Sequence, residues 1–179
     1  MRCSRRSWLI GCIAAGLAQA QDQPPSEVLA AWPQARRQGA GLLRFLGLQV
    51  YEIRLWISTR RVDADWAQTP LALEIRYARS LKGRLIAERS LQEMGRQAEI
   101  PAAQGERWLA AMKALFPDVG EGDRITGIQQ PGESARFYFN GEFRGEVRDP
   151  AFVPLFFGIW LSPRTSEPRL REQLLGGSS

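Results

Sequence analysis

Four polar side chains stand out as candidates for ligand binding or chemistry: Arg44, Tyr51, Arg89 and Tyr138. Arg44 is the most unusual, because it is a cation inside the otherwise apolar run 42–46. Burying an unpaired guanidinium costs several kcal/mol. Arg44 therefore requires solvent, an acidic partner within the protein, or an anionic ligand.

The composition excludes several kinds of catalysis. The chain has no histidine, and its two cysteines are Cys3 and Cys12. Histidine-based triads, histidine general bases and histidine-ligated metals are therefore excluded. The glycines at 39–41 precede a predicted strand rather than a helix, so they do not form a phosphate-binding loop.

The acidic residues give no convincing metal site. Asp118, Glu121 and Asp123 could hold a calcium ion, but their spacing matches no known ligand loop. We interpret them as solvated turn residues. The sequence predicts neither a metal nor a cofactor.

The first twenty residues have the pattern of a secretory signal peptide: arginines, a short apolar run, and small residues ending at Ala20. We predict cleavage after Ala20, a flexible lead-in over 21–27, and one domain over 28–179. The protein would then be periplasmic or secreted, without a transmembrane segment. The alternative is a lipoprotein anchored through Cys12, although the apolar run before Cys12 is short for such a signal.

The basic charge is partly a property of this leader. Three of the 24 Lys and Arg residues lie within it and none of the 19 acids do, so the net charge of +5 falls to +2 on cleavage. A balance so close to neutral gives no support to nucleic-acid binding.

The candidates must be positioned by strands and helices. Residues 39–58 alternate in polarity after Gly47, which predicts a pair of strands. Strands are also predicted over 28–32, 71–77 and 124–130. Residues 135–147 contain Asn140-Gly141 between strand-forming residues, which predicts a type I′ hairpin with Tyr138 opposite Phe143.

Apolar residues at helical spacing predict four helices: over 83–96, from 101 to 116, from 150 onward, and over 166–175. Six or seven mostly hairpin-linked strands with four helices define an α+β fold, in which the helices pack on one face of a large antiparallel sheet.

The series of motifs resembles the chalcone isomerase family. The stretch GAGLLRFLGLQVYEIRLWI is similar to the strand pair that opens the fold, and LKGRLIAERSLQEM to its first helix. FYFNGEFRGEV, FVPLFFGIWLSP and the leucine-rich last helix resemble its closing half. The resemblance implies an open-faced β-sandwich with a cleft between sheet and helices.

The resemblance also implies roles for individual residues. Arg44 best matches the arginine that meets the carboxylate in fatty-acid-binding members. The catalytic threonine of the isomerases falls on Tyr51 and the helix lysine on Arg89. The catalytic tyrosine falls near Leu85 or Ile86, which are apolar.

Further along, the asparagine that follows that lysine in the family falls on Glu93. These differences remove the hydroxyl network that orients the substrate of the isomerases.

We therefore expect an exported, non-catalytic protein that binds a small hydrophobic acid, such as a fatty acid, with Arg44 as its anchor. Simpler interpretations remain: Arg44 could pair with Glu52 or Glu93, Tyr51 could be packing, and Arg89 could lie on a solvated helix face. The alternative functions are an intramolecular lyase or isomerase, and a structural envelope protein whose cleft is filled.

Overall fold

The computed structural model describes residues 23–58 and 61–176, which form a six-stranded antiparallel sheet with five helices. The strands are β1 (Arg36–Phe45), β2 (Leu48–Ile57), β3 (Leu71–Tyr77), β4 (Arg124–Gln130), β5 (Ser134–Phe139) and β6 (Glu142–Val147). The helices are α1 (Ser26–Ala31), α2 (Gly83–Gly95), α3 (Ala102–Leu115), α4 (Phe152–Leu161) and α5 (Pro168–Leu175). The predicted α+β class is confirmed. The predicted signal peptide lies outside the described residues.

Each strand pairs with the next one along the chain, so the sheet is a simple antiparallel meander. The predicted β5–β6 hairpin is confirmed, with Tyr138 opposite Phe143. Its turn residues Asn140 and Gly141 have φ values of 51° and 92°, as a type I′ turn requires.

The main core lies between the sheet and helices α2 to α5. Alternate residues of the strands point toward the helices, because successive side chains in a strand face opposite sides. Ile53, Leu55 and Leu73 supply the sheet side, and Met112 and Phe157 supply the helix side. All five are at most 2% exposed, so this interface provides the bulk of the hydrophobic stabilisation.

The first helix packs on the opposite face of the sheet. Val28 of α1 is buried against Trp56, Ala72 and Ile128 in a second, smaller core. The strand predicted over 28–32 is wrong, because the chain turns helical directly after Pro25. A short apolar run fits either element, and the packing surface decides between them.

The ordered domain begins before residue 28. Glu27 is only 5% exposed, and its carboxylate accepts hydrogen bonds from Thr126 Oγ1 at 2.7 Å and Arg124 Nη2 at 3.1 Å. Ser26 is the first residue of α1. Residues 26 and 27, which the sequence pattern assigned to the lead-in over 21–27, belong to α1.

Two glycines of β1 let α5 approach the sheet closely. A Cβ at Gly39 would lie 2.2 Å from the carbonyl oxygen of Gln173, and one at Gly41 would lie 2.4 Å from Leu170 Cδ1. No side chain fits at either position, so α5 covers β1 in contact with its backbone. Among the described residues, no helix has the length and apolarity needed to cross a bilayer.

Candidate ligand-binding cavity

A cavity of about 260 Å³ lies between the sheet and the helices, at the end of the sheet near the β1–β2 turn. Strands β1 to β4, helices α2 and α4, and the segment before α5 contribute to its wall. Most lining residues are apolar: Leu43, Val50, Ile75, Leu81, Leu85, Ile86, Phe116, Ile125, Phe156, Ile159 and Trp160. The remaining ones carry polar atoms: Tyr51, Tyr77, Arg89, Ser90, Glu93, Ser166 and Glu167.

Tyr51 presents a hydroxyl whose role is set by its neighbour on α4. Trp160 Nε1 donates a hydrogen bond of 2.9 Å to Tyr51 Oη, so the phenol proton remains available for another acceptor. Burial raises the pKa of Tyr51 well above its ordinary value, although the Trp160 hydrogen bond opposes that shift. Tyr51 is therefore protonated at neutral pH and can act as a donor.

Tyr77 lies beside Tyr51 on the neighbouring strand and completes this part of the wall. The two rings meet edge to face, with centroids 6.1 Å apart. Burial also raises the pKa of Tyr77 above its ordinary value, so it too is neutral. The two tyrosines supply polar atoms to the cavity without adding charge.

Helix α2 brings a charged cluster to the cavity wall. Arg89 Nη2 lies 2.6 Å from Glu93 Oε1, and Arg96 Nε lies 3.6 Å from Glu93 Oε2. The Glu93 side chain is 6% exposed, whereas that of Arg89 is 63% exposed. Arg89 and Glu93 are the members of this cluster that line the cavity, and their charges balance. Glu167, an exposed acid, contributes to the wall just before α5.

Ser90 shows no sign of nucleophilic activation. Its hydroxyl donates a 2.8 Å hydrogen bond to the backbone oxygen of Ile86, one turn earlier in α2. A nucleophilic serine needs an adjacent general base. The nearest acidic group on the same helix face, Glu93, is instead paired with Arg89.

The structure does not place Arg44 in the cavity, which corrects the position expected from the sequence. A register shift separates Leu43 from Arg44, and Arg44 lies exposed at the end of the β1–β2 hairpin. Leu43 is the last residue of β1 that lines the cavity. The alternative of a pair with Glu52 does not occur either, because Glu52 Oε1 binds Arg54 Nε at 2.9 Å.

Tyr138 also lies away from the cavity. It packs on the opposite face of the sheet with the small core beneath α1, and its ring centroid is 5.4 Å from that of Phe143. Its neighbours Phe137 and Phe139 face the helices, so the alternation of β5 sends Tyr138 to the other side. Of the four predicted site residues, only Tyr51 and Arg89 come together.

The acids of the 118–123 turn serve structural roles. Asp118 binds Lys82 Nζ at 2.7 Å and the backbone N–H of Gly83 at 3.0 Å, at the start of α2. Asp123 accepts from the N–H of Gly120 at 2.7 Å. The part of the chain that the structure describes contains no cluster of three or more side chains suited to hold a metal ion.

A meander sheet with a helix-covered cavity at one end is the architecture of a chalcone isomerase-like protein. The chain belongs to this family: the family's sequence model, described as chalcone isomerase-like, matches residues 33–176.

One curated relative is an uncharacterized protein of Haemophilus influenzae, which is 29% identical over 127 residues. The match covers 71% of this chain and 61% of the relative, so the chain spans less than two thirds of that protein.

Among solved structures, the chain is similar to a fatty-acid binding protein of Arabidopsis thaliana, with a TM-score of 0.64 and 15% sequence identity. The match covers 79% of this chain and 87% of that chain. A likeness at this level of identity shows a shared fold.

The positions that the sequence resemblance matched to the isomerase's catalytic residues all line the cavity. They are Tyr51, Leu85, Ile86, Arg89 and Glu93. Sequence reasoning missed the contribution of Trp160, which it treated only as an apolar helix residue. The available signal was its indole N–H, since a tryptophan in a core usually finds a hydrogen-bond acceptor.

Proposed function

We propose that this protein binds a small hydrophobic acid, such as a fatty acid, in the cavity between the sheet and the helices. The observation that carries the proposal is the combination of apolar walls with a hydroxyl donor, Tyr51, and an arginine, Arg89, in one cavity. An apolar cavity with a few convergent polar groups is typical of sites for amphipathic small molecules.

The polar groups suit a ligand that accepts hydrogen bonds. Tyr51 must donate its proton, because Trp160 already occupies the phenol oxygen as a donor. Arg89 has five N–H donors and uses part of them on Glu93 and Gln92. A carboxylate is the ligand group that both donors recognise.

The size of the cavity limits the ligand. Its volume of about 260 Å³ lies just below the range of roughly 300–1,000 Å³ that is common for small-molecule sites. A short or medium acyl chain fits this space better than a long one, unless the end of a long chain extends through the opening. The same open space argues against a structural protein whose cleft is filled by its own side chains.

Isomerase activity is the less favoured alternative. The position matched to the isomerase tyrosine is filled by apolar Leu85 and Ile86, and the asparagine position holds Glu93, which is tied to arginine. These residues supply no hydroxyl network to orient a phenolate. We expect chalcone cyclisation to proceed no faster in the presence of the protein than in buffer.

Calorimetric titration with decanoate, compared with decanol, tests the proposed ligand class. Arg89→Gln should weaken decanoate binding by about tenfold to a hundredfold, as expected for a hydrogen bond to a charged group. Tyr51→Phe should weaken it by roughly threefold to tenfold. Decanol, which lacks the charge, should bind more weakly than decanoate and respond little to Arg89→Gln.

Arg84→Gln is the matched control, because Arg84 is on the same helix with the same 63% side-chain exposure and does not line the cavity. Circular dichroism must show that both variants are folded, since Arg89→Gln leaves buried Glu93 with Arg96 alone. Equal binding by the two variants, or no uptake by the unmodified protein, would overturn the proposal.

The location of this binding protein is also a proposal. The signal-peptide pattern of residues 1–20 supports export with cleavage after Ala20. The mass of the protein recovered from a periplasmic extract tests this directly. A chain that begins at Gln21 is expected, and an uncleaved chain in the cytoplasm would contradict it.

A further inference from the structure

The turn between β1 and β2 carries an unusual concentration of exposed apolar surface. Phe45 is 66% exposed, Leu46 is 86% exposed and Leu48 is 57% exposed. We call these three side chains the apolar tip. Single exposed apolar residues are common on protein surfaces, but a contiguous group of large ones marks a site of interaction.

The backbone of the apolar tip adds a second unusual feature. Leu46 has φ of 49° and Gly47 has φ of 79°. A left-handed conformation is unfavourable for leucine, which lacks the short polar side chain that stabilises asparagine there. Among the described residues, no atom except those of Gly47 and its two chain neighbours lies within 4 Å of the position that a Cβ on Gly47 would occupy. The turn therefore has two unfavourable features: it exposes the apolar side chain of Leu46 to water, and it holds the leucine backbone at positive φ.

The apolar tip lies next to residues that line the cavity. Leu43 and Val50, two residues inward from the tip on each strand, both line the cavity. At about 3.3 Å per residue, the tip begins within roughly 7 Å of that lining. Across the cavity, Leu85 of α2 is 48% exposed and also lines the wall, so it extends the apolar surface to the helix side.

Two exposed arginines, Arg44 and Arg79, lie beside the apolar tip. Arg44 is on the hairpin itself, and Arg79 follows Ala78, whose N–H binds the backbone oxygen of Val50 at 2.9 Å. Both arginines are exposed, and neither forms an ion pair with any residue of the described ranges 23–58 and 61–176. Basic side chains flanking an exposed apolar group are the pattern that binds anionic lipid surfaces.

We propose that the apolar tip inserts into the surface of an anionic phospholipid bilayer, with Arg44 and Arg79 contacting the head groups. This orientation brings the cavity opening to the lipid surface, where an amphipathic ligand could pass between bilayer and cavity without crossing water. The transfer step rests on the proposed ligand binding, but attachment to the bilayer does not.

Co-sedimentation with vesicles tests the proposal, using the chain from Gln21 so that the apolar run of the leader does not bind lipid itself. This form retains the complete sheet and all five helices. The protein should bind vesicles that contain phosphatidylglycerol and bind pure phosphatidylcholine weakly, with binding reduced by salt. The double variant Phe45→Ser/Leu46→Asn should lower the vesicle partition coefficient at least about tenfold.

Phe143→Ser is the matched control, because Phe143 is 57% exposed on β6, at the opposite edge of the sheet from β1, and packs beside Tyr138 on the face that α1 covers. It should leave vesicle binding unchanged. No vesicle binding by the unmodified protein, or equal loss in the tip and control variants, would overturn the proposal. Sedimentation velocity without lipid tests whether a second copy of the chain binds the apolar tip instead. If the protein does not bind vesicles but forms a dimer that only the tip variant dissociates, the surface is a dimer interface.

Decanoate titration of the tip variant separates this proposal from the proposed function. Retained decanoate binding with lost vesicle binding supports both. If the protein binds vesicles but takes up no decanoate, membrane attachment through the apolar tip is supported and the proposed ligand binding is overturned.

Discussion

The two hairpins with two-residue turns, β1–β2 and β5–β6, have similar backbone turns but opposite side-chain chemistry. In the β5–β6 turn the left-handed position holds Asn140, whose φ is 51°; in the β1–β2 turn it holds Leu46, whose φ is 49°. Asn140 accepts a hydrogen bond from the N–H of Arg124 at 2.8 Å and donates one to Asp123 at 2.9 Å. Within residues 23–58 and 61–176, no side-chain hydrogen bond holds the turn at Leu46, which is 86% exposed.

The difference separates a turn that stabilises the fold from a turn that is not optimised for stability. Asn140 satisfies the backbone preference of its position and ties β5 to the start of β4. Leu46 opposes the preference of its position and is largely exposed to solvent. Residues held in an unfavourable backbone conformation cluster at ligand-binding and other functional sites. The comparison therefore supports a binding role for the β1–β2 turn without reference to any relative.

The largest effect is expected from placing leucine in the stabilising turn. Asn140→Leu should lower the free energy of unfolding by about 2–3 kcal/mol, because it removes two hydrogen bonds and adds the left-handed penalty. Urea unfolding measures it. Asn140→Gly separates the two causes, since glycine tolerates the conformation but makes neither bond, and should cost about 1–2 kcal/mol. If Asn140→Leu lowered the free energy of unfolding by less than about 0.5 kcal/mol, as a typical surface substitution does, the comparison would be contradicted.

A smaller effect concerns pH. The hydrogen bond from Asn140, together with the N–H of Gly120, holds the pKa of Asp123 below its ordinary value of 3.8. A lowered folded-state pKa gives stability that is present above pH 3.8 and is lost as the pH falls through the folded pKa. The stability difference between the protein and Asn140→Leu should therefore shrink as the pH is lowered below 3.8. A difference that stays constant from neutral to acid pH would show that Asp123 takes no part.

The smallest effect is a gain. Leu46→Asn should raise the free energy of unfolding by about 0.5–1 kcal/mol, because asparagine adopts positive φ more readily than leucine. Leu46→Ala should give no gain, since alanine has the same steric penalty. Denaturant unfolding of both variants provides the measurement. A destabilised Leu46→Asn would mean that Leu46 makes a stabilising contact after all.

The sequence was informative where local chemistry decides the structure. Asn140-Gly141 predicted its hairpin and the cross-strand pair of Tyr138 with Phe143, because turn type fixes register. Helix α2 was predicted over 83–96 and observed over Gly83–Gly95. Helix α1 was mistaken for a strand because its six residues are too few for a period to be read, and packing on Trp56 fixes its conformation.

The site was harder to predict than the fold. Tyr51 and Arg89, two of the four predicted residues, line the candidate cavity, whereas Arg44 lies outside it at the exposed end of the β1–β2 hairpin. A register shift between Leu43 and Arg44 has no local signature in the sequence. The pairs of Glu93 with Arg89 and Arg96 are local to α2, where i,i+4 and i,i+3 neighbours meet, so helical spacing alone could have indicated them. The hydrogen bond of Trp160 joins α4 to β2, and only the tertiary structure sets that contact.

The close contact of α5 with Gly39 has a consequence for how the chain assembles. The first strand of the sheet is covered by the last helix, and Gln38 Nε2 also binds the backbone oxygen of Leu175 at 3.2 Å, 137 positions away. Pairings over so long a stretch of chain form late and slowly, since the intervening loop must first be closed. Strand β1 therefore stays uncovered until the ribosome has synthesised α5, and deleting α5 would expose the glycine-containing strand surface that it covers.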